Sequence, residues 1–185
     1  MDHINQNLDR IRERISDPSF LSNKGLSNEV GIHVFCYDPA DELIVQAFVQ
    51  QLKLASDAPY HIVECDLYEI LLQLLEDKRV LKSVASLEEK KGKDYLLKQL
   101  QKIATPEALL NYMQYAPHQY GDVLFLTGIG KIWPFIRSHT LLDAMQAMFE
   151  DLPVVMFYPG SFNGQDLGLF GQFLDGHYYR AFSLL

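Results

Sequence analysis

Three short apolar runs without polar alternation constrain the fold of this chain most strongly. They span residues 32–37, 123–126 and 154–158. Such runs are typical of strands that are buried on both faces, as in parallel sheets covered by helices. A helical pattern follows the run at residues 32–37, and another follows a further predicted strand, His61–Cys65. Two such strand–loop–helix units in succession favour a right-handed parallel connection. The sequence therefore predicts an α/β fold in three layers, a mostly parallel open sheet with helices on both faces.

Two helices of this predicted fold have clear apolar stripes. At the N-terminus an amphipathic helix is predicted, because apolar residues recur at helical spacing at Ile4, Leu8, Ile11 and Ile15. After the first strand, Asp38 or Asp41 is expected to cap a second helix that runs to about Leu54. Its predicted stripe consists of Leu43, Ala47, Val49 and Leu52. Asp66 is expected to cap a third helix, and Thr105-Pro106 to start a later one.

The composition changes in the middle of the chain. Between Glu76 and Lys102 lie half of the 16 Lys and Arg residues, mixed with acidic residues. This pattern indicates exposed helices with i,i+4 ion pairs. We therefore predict one domain over residues 1–185, with a charged helical insertion at residues 76–121 and a closing strand from Tyr178 to Phe182. No repeat or flexible linker suggests a second domain.

Charge and cysteine content limit the classes of protein to which this chain can belong. A net charge of −8 and a pI near 5.1 argue against a dedicated nucleic-acid-binding protein. Cys36 and Cys65 each lie in an apolar run, which favours a reducing compartment, and no apolar run approaches the length of a membrane span. We expect a cytoplasmic protein without membrane association.

Two segments that follow predicted strands are the candidate binding loops. In open α/β sheets, ligands gather at the carboxyl ends of the strands. The first loop covers residues 128–137 and the second covers residues 158–164. Their candidate partner- or ligand-binding residues are Gly128, Gly130, Lys131, Trp133, Arg137, Tyr158, Gly160 and Asn163.

The sequence Gly128-Ile129-Gly130-Lys131 after a strand is open to two interpretations. A phosphate-binding loop would use the glycine amides and the lysine, with Asp38 holding magnesium. A Walker A loop, however, requires Gly five residues before its Gly-Lys pair and Ser or Thr after it. Those positions hold Phe125 and Ile132. We therefore favour a tight strand-to-helix turn, and degenerate nucleotide binding stays an alternative.

Trp133 and Arg137 each allow two roles. Trp133 is either a plug beneath the loop or an exposed anchor for a partner, and core packing is favoured because Trp is highly buried on average. Arg137 either pairs with an acidic group of this chain or contacts a partner. The sequence leaves that choice open.

Catalytic and metal-binding patterns are absent from the sequence. The six histidines are scattered without metal-ligand spacing, and Ser161 lacks the surroundings of a nucleophile elbow. We expect no catalytic residue, no metal and no cofactor. In the insertion, Lys90, Lys91 and Lys93 are expected to form a solvated face, with weak electrostatic contact to DNA as the alternative.

Several motifs together resemble the BrxB family of the bacterial BREX (bacteriophage exclusion) systems. They are Val34-Phe35-Cys36-Tyr37-Asp38-Pro39, Leu126-Thr127-Gly128-Ile129-Gly130 with the trailing Pro134-Phe135-Ile136-Arg137, and Val155-Met156-Phe157-Tyr158-Pro159-Gly160. A closing segment from Tyr178 to Leu184 completes the order. The resemblance extends from about Leu8 to the end.

This resemblance implies a role in phage defence without an established enzymatic activity. In such systems a methyltransferase marks host DNA, and other components include an alkaline-phosphatase-like PglZ protein and an ATPase. The resemblance therefore implies a non-catalytic assembly subunit whose leading partner is a PglZ-type protein, with other BREX components as further partners. It transfers no catalytic residues to this chain.

Overall fold

A parallel sheet forms the centre of the computed structural model, which describes residues 2–23, 31–145, 148–174 and 181–185. Five strands pair in parallel in the order β2-β3-β4-β1-β7. They are β1 (Ile32–Tyr37), β2 (His61–Asp66), β3 (Asp122–Thr127), β4 (Val154–Phe162) and β7 (Phe182–Ser183). The predicted parallel sheet is confirmed.

An antiparallel extension departs from the predicted topology. Strand β4 continues past the parallel part of the sheet and pairs with β5 (Leu167–Leu169), which pairs with β6 (Phe173–Leu174). The predicted end of this strand at Tyr158, with a loop after it, is wrong. Pro159 and Gly160 do not end the strand, because the backbone of β5 approaches Gly160 closely enough to pair with it.

Nine helices among the described residues surround the sheet. They are α1 (Asp2–Ser16), α2 (Pro18–Leu21), α3 (Glu42–Lys53), α4 (Leu67–Asp77), α5 (Val84–Lys91), α6 (Lys93–Ile103), α7 (Pro106–Met113), α8 (Ile129–Ile132) and α9 (Ser138–Met145). Two 3-10 turns cover Pro39–Asp41 and Leu81–Ser83.

Successive side chains of each strand point to opposite faces of the sheet, and this alternation divides the interior into two cores. One core joins α1, α2 and α3 to a first set of strand residues, Phe35, Val123, Phe125, Val155 and Phe157. The other core lies between the helices α4, α6, α7, α8 and α9 and a second set of strand residues, Val34, Leu124, Leu126, Met156 and Tyr158. Each fully buried large side chain of this kind contributes about 1.5–3 kcal/mol. The three-layer α/β prediction is confirmed.

The N-terminal amphipathic helix and the predicted helix starts are also confirmed. The four apolar residues of α1 are all buried. The Asp38 carboxylate accepts a hydrogen bond from the Ala40 amide and so caps the 3-10 turn that leads into α3, whereas Asp41, directly before α3, makes no side-chain capping bond. The Asp66 carboxylate accepts hydrogen bonds from the first turn of α4. The Thr105 hydroxyl oxygen accepts one from the Ala108 amide at the start of α7. These side chains pair amides that would otherwise lack partners.

The predicted apolar stripe of α3 is partly wrong. Its buried face consists of Val45, Phe48, Val49 and Leu52, whereas Leu43 is 78% exposed and Ala47 is also exposed. Helical i,i+3,i+4,i+7 spacing from Val45 selects that face, and Leu43 lies outside it. The predicted closing strand is found at Phe182–Ser183, and its predicted start at Tyr178 lies outside the described residues.

His33 gives the fold a pH dependence. This β1 residue is 7% exposed, and its ring lies 4.9 Å from the Phe20 ring centroid. Burial, aided by the charge of Arg14, lowers its pKa to about 4. Because the unfolded chain binds the proton near pH 6.5, stability is retained above that pH and lost as the pH falls towards 4.

We expect the free energy of unfolding to decrease by about 2 kcal/mol between pH 7 and pH 5. Urea unfolding at both pH values measures this decrease. In His33→Leu, which cannot bind the proton, most of the decrease is expected to disappear. An equal decrease in the variant and the parent chain would contradict this account of His33.

Candidate functional site

The parallel strands place three polar residues at one edge of the sheet. Strands β1, β2 and β3 end at Tyr37, Asp66 and Thr127. These residues and Glu64 lie on the face that α3 covers. Together they line a cavity of about 290 Å³ with Glu42, Gln46, Gln50, Gly128 and Lys131, which we call the acidic cavity.

Glu64 joins three elements around the acidic cavity. Its Oε1 accepts a hydrogen bond from the Thr127 hydroxyl at 2.9 Å. Its Oε2 accepts hydrogen bonds from Lys53 Nζ at 2.6 Å and from Gln50 Nε2 at 3.0 Å. Burial raises the pKa of Glu64, but the bonds from Lys53, Thr127 and Gln50 outweigh burial and lower it. The ionised carboxylate therefore ties β2 to β3 and α3.

Glu42 is bound in a similar way on the opposite side of the acidic cavity. The Tyr37 hydroxyl donates a hydrogen bond to Glu42 Oε2 at 2.6 Å, and Gln46 Nε2 donates one to Oε1 at 2.8 Å. Burial, with the bond to Glu42, raises the pKa of Tyr37 far above its ordinary value. Tyr37 therefore remains a neutral hydrogen-bond donor.

Asp66 lies directly against the predicted glycine loop. Gly128 has a left-handed φ of 73°, and a Cβ atom added there would lie only 2.2 Å from Asp66 Oδ1. Lys131 Nζ is 3.6 Å from Asp66 Oδ2. A glycine at position 128 is therefore required by both the backbone angle and the adjacent carboxylate.

The position of Asp66 beside Gly128 disfavours the interpretation of this segment as a phosphate-binding loop. A phosphate bound at Gly128 would lie beside the Asp66 carboxylate, which already interacts with the charge of Lys131. Gly130 packs on the other side, where an added Cβ would lie 2.9 Å from the Phe170 ring. Helix α8 has only four residues. These contacts favour the tight strand-to-helix turn over an anion-binding loop.

A second cavity lies at the same edge, between the loop after β3 and the β5–β6 hairpin. It measures about 460 Å³, and we call it the aromatic cavity. The rings of Trp133 and Phe173 stack with centroids 4.5 Å apart and an interplanar angle of 29°. Its lining residues are Trp133, Arg137, Ser138, Tyr158, Leu169, Gln172 and Phe173.

The expected core position of Trp133 is wrong. Its side chain is 37% exposed, and that of Phe173 is 43% exposed. Ile129 and Ile132 of α8 fill the core below this loop. Because α8 ends at Ile132, the indole follows at the surface and packs against the hairpin instead.

Arg137 lies beside this aromatic pair. Its side chain is exposed, and among the described residues no carboxylate lies within salt-bridge distance of its guanidinium group. Nearby, Gln101 Nε2 of α6 donates a hydrogen bond to the Pro134 carbonyl at 2.9 Å. The helical insertion thus braces the loop that carries Trp133 and Arg137.

The residues of the second predicted loop are separated by the hairpin. Tyr158 is buried beneath the aromatic cavity. Gly160 lies within β4, where an added Cβ would lie 2.1 Å from the Gly168 carbonyl oxygen. Asn163 lies at the β4–β5 turn, and its Oδ1 accepts hydrogen bonds from the amides of Gln165 and Asp166. The geometry gives Gly160 and Asn163 roles in forming the hairpin.

The lysines of the insertion lie away from both cavities. Lys90, Lys91 and Lys93 are exposed around the junction of α5 and α6. Among the described residues, the one salt bridge formed by a lysine or arginine of the insertion joins Lys82 to Glu76 at 3.9 Å. The expected i,i+4 ion pairs around these three lysines are therefore wrong, because the acidic side chains of α5 do not reach them.

Sequence reasoning overlooked some residues at this edge. Glu64 could have been found as the one acidic residue inside the predicted strand His61–Cys65. Phe173 could not, because no local pattern indicates the hairpin that carries it. Within the described ranges, no group of three His, Cys, Asp or Glu residues could hold a metal ion. No helix among those residues is long and apolar enough to span a membrane.

Comparisons with known proteins give a consistent result. The sequence profile of the family described as "BREX protein BrxB" matches residues 63–184. A "BREX protein BrxB" of Bacillus cereus (strain H3081.97) is 42% identical over 191 residues, which cover 100% of this chain and 99% of the relative. Another, of Escherichia coli O9:H4 (strain HS), is 30% identical over 179 residues, covering 96% and 90%. No solved structure matches this chain.

Replacement of Gly128 by Ala tests the contact between the glycine loop and Asp66. We expect a loss of about 1–2 kcal/mol of stability from the left-handed backbone alone, and about 1 kcal/mol more from the displaced Asp66 cap. Gly171→Ala is the matched control, because Gly171 also has a positive φ of 66° but an added Cβ there meets nothing within 4 Å. Equal losses in urea unfolding of the two variants would contradict this account.

Proposed function

Because this chain belongs to the BrxB family of BREX proteins, we propose that it is a non-catalytic assembly subunit of an anti-phage defence complex. Membership makes it a BREX component, as the resemblance implied. The proposal adds that the subunit acts as an adaptor and that a PglZ-type protein is its leading partner. Other BREX components are further candidate partners.

The aromatic cavity is the observation that carries the adaptor proposal. Trp133 and Phe173 form an exposed stacked pair beside the exposed Arg137. Aromatic residues and Arg are enriched at protein interfaces, and Trp and Arg dominate their energetic hot spots. An exposed indole next to a guanidinium group is therefore well suited to anchor another protein.

The acidic cavity supports the non-catalytic part of the proposal. Glu42 and Glu64 accept hydrogen bonds from neighbouring side chains of this chain, and Asp66 caps α4. Groups engaged in this way hold α3 and α4 on the sheet. These carboxylates are better explained as structural groups, and nucleotide binding at Lys131 is the less favoured alternative.

A second candidate function is contact with DNA through the insertion. One observation favours it: Lys90, Lys91 and Lys93 are exposed and form no salt bridge with the described residues. Unpaired lysines can neutralise phosphates of any sequence. Glu88 and Glu89 lie on α5 together with Lys90 and Lys91, and the whole chain carries a charge of −8. Any such contact is therefore weak and local.

We expect this chain to co-purify with a PglZ-type protein from the same defence system, and Trp133→Ala to reduce the recovered partner at least tenfold. Truncation of a hot-spot Trp costs about 2 kcal/mol or more of binding free energy, which gives that factor. Arg137→Glu is expected to have a similar effect. Pull-down with purified proteins at micromolar concentration measures both.

Matched controls separate docking from general surface effects. Tyr120→Ala removes an aromatic side chain that is 72% exposed and lies just before β3, at the opposite edge of the sheet. Arg10→Glu makes the same charge change on α1. Both controls should retain the partner. Absence of a complex with the parent chain, or equal losses in the controls, would argue against the adaptor proposal.

For the DNA candidate, we expect weak binding to duplex DNA that decreases steeply with salt. Replacement of Lys90, Lys91 and Lys93 by Gln should reduce the slope of log K against log[salt] by about 0.9 for each phosphate that a lysine no longer neutralises. Electrophoretic or fluorescence titration at several salt concentrations measures the slope. An unchanged slope in the triple variant would eliminate this candidate.

A further inference from the structure

The size of the aromatic cavity limits what can occupy it. Its volume of about 460 Å³ is open to solvent on the side of the exposed Trp133 and Phe173 rings. Cavities of several hundred Å³ hold drug-sized groups. One bulky side chain with a short length of main chain fits this space, whereas a folded domain does not enter it. Any protein that occupies this cavity therefore does so with a short projecting segment.

The charge of the cavity favours an occupant that carries a negative charge. Arg137 is the one charged side chain among its described lining residues. Helix α9 starts beside it at Ser138, and its first turn contains no acidic residue that would balance the positive end of the helix. In a chain with a net charge of −8, this cavity is a local positive site. It complements an anionic group.

A carboxylate fits Arg137 better than a phosphate does. A guanidinium group binds both oxygens of one carboxylate through two parallel hydrogen bonds. A phosphate dianion would keep one charge unbalanced, because no second cation lines the described wall of the cavity. Lys131, the other cation of this loop, is paired with Asp66 at the acidic cavity.

The rest of the cavity wall is suited to an apolar side chain. The stacked rings of Trp133 and Phe173 present exposed apolar surface, and buried Leu169 and Tyr158 lie beneath them. Ser138 and Gln172 supply polar groups that can pair with the main chain of a bound segment. Apolar contact and charge pairing are thus available within one cavity.

We propose that the aromatic cavity binds an extended partner segment in which an Asp or Glu side chain lies two positions from a bulky apolar side chain. The carboxylate pairs with Arg137, and the apolar side chain packs on the Trp133–Phe173 pair. In an extended segment, residues two positions apart project from the same side, which matches two contacts in one cavity. This proposal rests on the adaptor function and specifies what the partner supplies.

Selection from a display library of random twelve-residue peptides, each fused at both ends, tests the proposal with the isolated chain. We expect enrichment of sequences that place Asp or Glu two positions from Phe, Leu or Ile. Trp133→Ala should abolish the enrichment, and Arg137→Glu should shift it to Lys or Arg. Arg10→Glu, on α1, should leave it unchanged.

Fluorescence titration with one enriched peptide that lacks Trp gives the affinity, because Trp133 is the only Trp in the chain. Arg137→Gln should weaken binding about tenfold or more, because the neutral amide of Gln replaces two charge-assisted hydrogen bonds with a single uncharged one. Circular dichroism and thermal unfolding establish that each variant is folded. Enrichment without acidic residues, the same peptides selected by Arg137→Glu, or no enrichment would each overturn the proposal.

The outcome is independent of the co-purification experiment, since no other BREX protein is present in the selection. If acidic–apolar peptides are enriched but no PglZ-type protein co-purifies, this proposal stands and the PglZ-type adaptor function is rejected. If a PglZ-type protein co-purifies but the enriched peptides are not acidic, this proposal is rejected and the adaptor function stands.

Discussion

The close approach of the β5–β6 hairpin to β4 and to the loop after β3 is the constraint on which the proposed site depends. Because Gly160 has no Cβ atom, the Gly168 carbonyl of β5 can lie where a Cβ atom at position 160 would clash with it. In the same way, Gly130 leaves room for the Phe170 ring. The Phe170 amide donates to the Pro159 carbonyl at 2.9 Å. These contacts place Phe173 on Trp133. Larger side chains at either glycine would separate the two rings.

The two cavities at this edge differ in how their polar groups are used. In the acidic cavity, the carboxylates of Glu42, Glu64 and Asp66 accept hydrogen bonds from side chains or amides of the same chain. In the aromatic cavity, the guanidinium group of Arg137 pairs with no carboxylate of the described residues. The first arrangement stabilises the sheet and its helices. The second leaves charge and apolar surface available to another molecule.

Local sequence was sufficient to predict the parts of the fold that depend on neighbouring residues. The buried strands, the caps at Asp38 and Asp66 and the amphipathic α1 follow from short-range patterns. The hairpin was not predicted, because Pro159 and Gly160 usually indicate a turn. Only pairing with a segment several residues later shows that they continue a strand. The stacking of Trp133 was not predicted for the same reason, since it depends on the Phe173 ring that the hairpin supplies.

Hydrogen–deuterium exchange tests the central claim most directly, by comparing the chain alone with the chain in complex with its BREX partner. In the proposed function, the aromatic cavity at the carboxyl edge of the sheet is the surface on which the partner protein docks. We predict slower exchange in residues 129–138 and 167–173 of the complex, with unchanged exchange in residues 116–121 at the opposite edge. Unchanged exchange around Trp133 and Phe173, with protection confined to other surfaces, would contradict it.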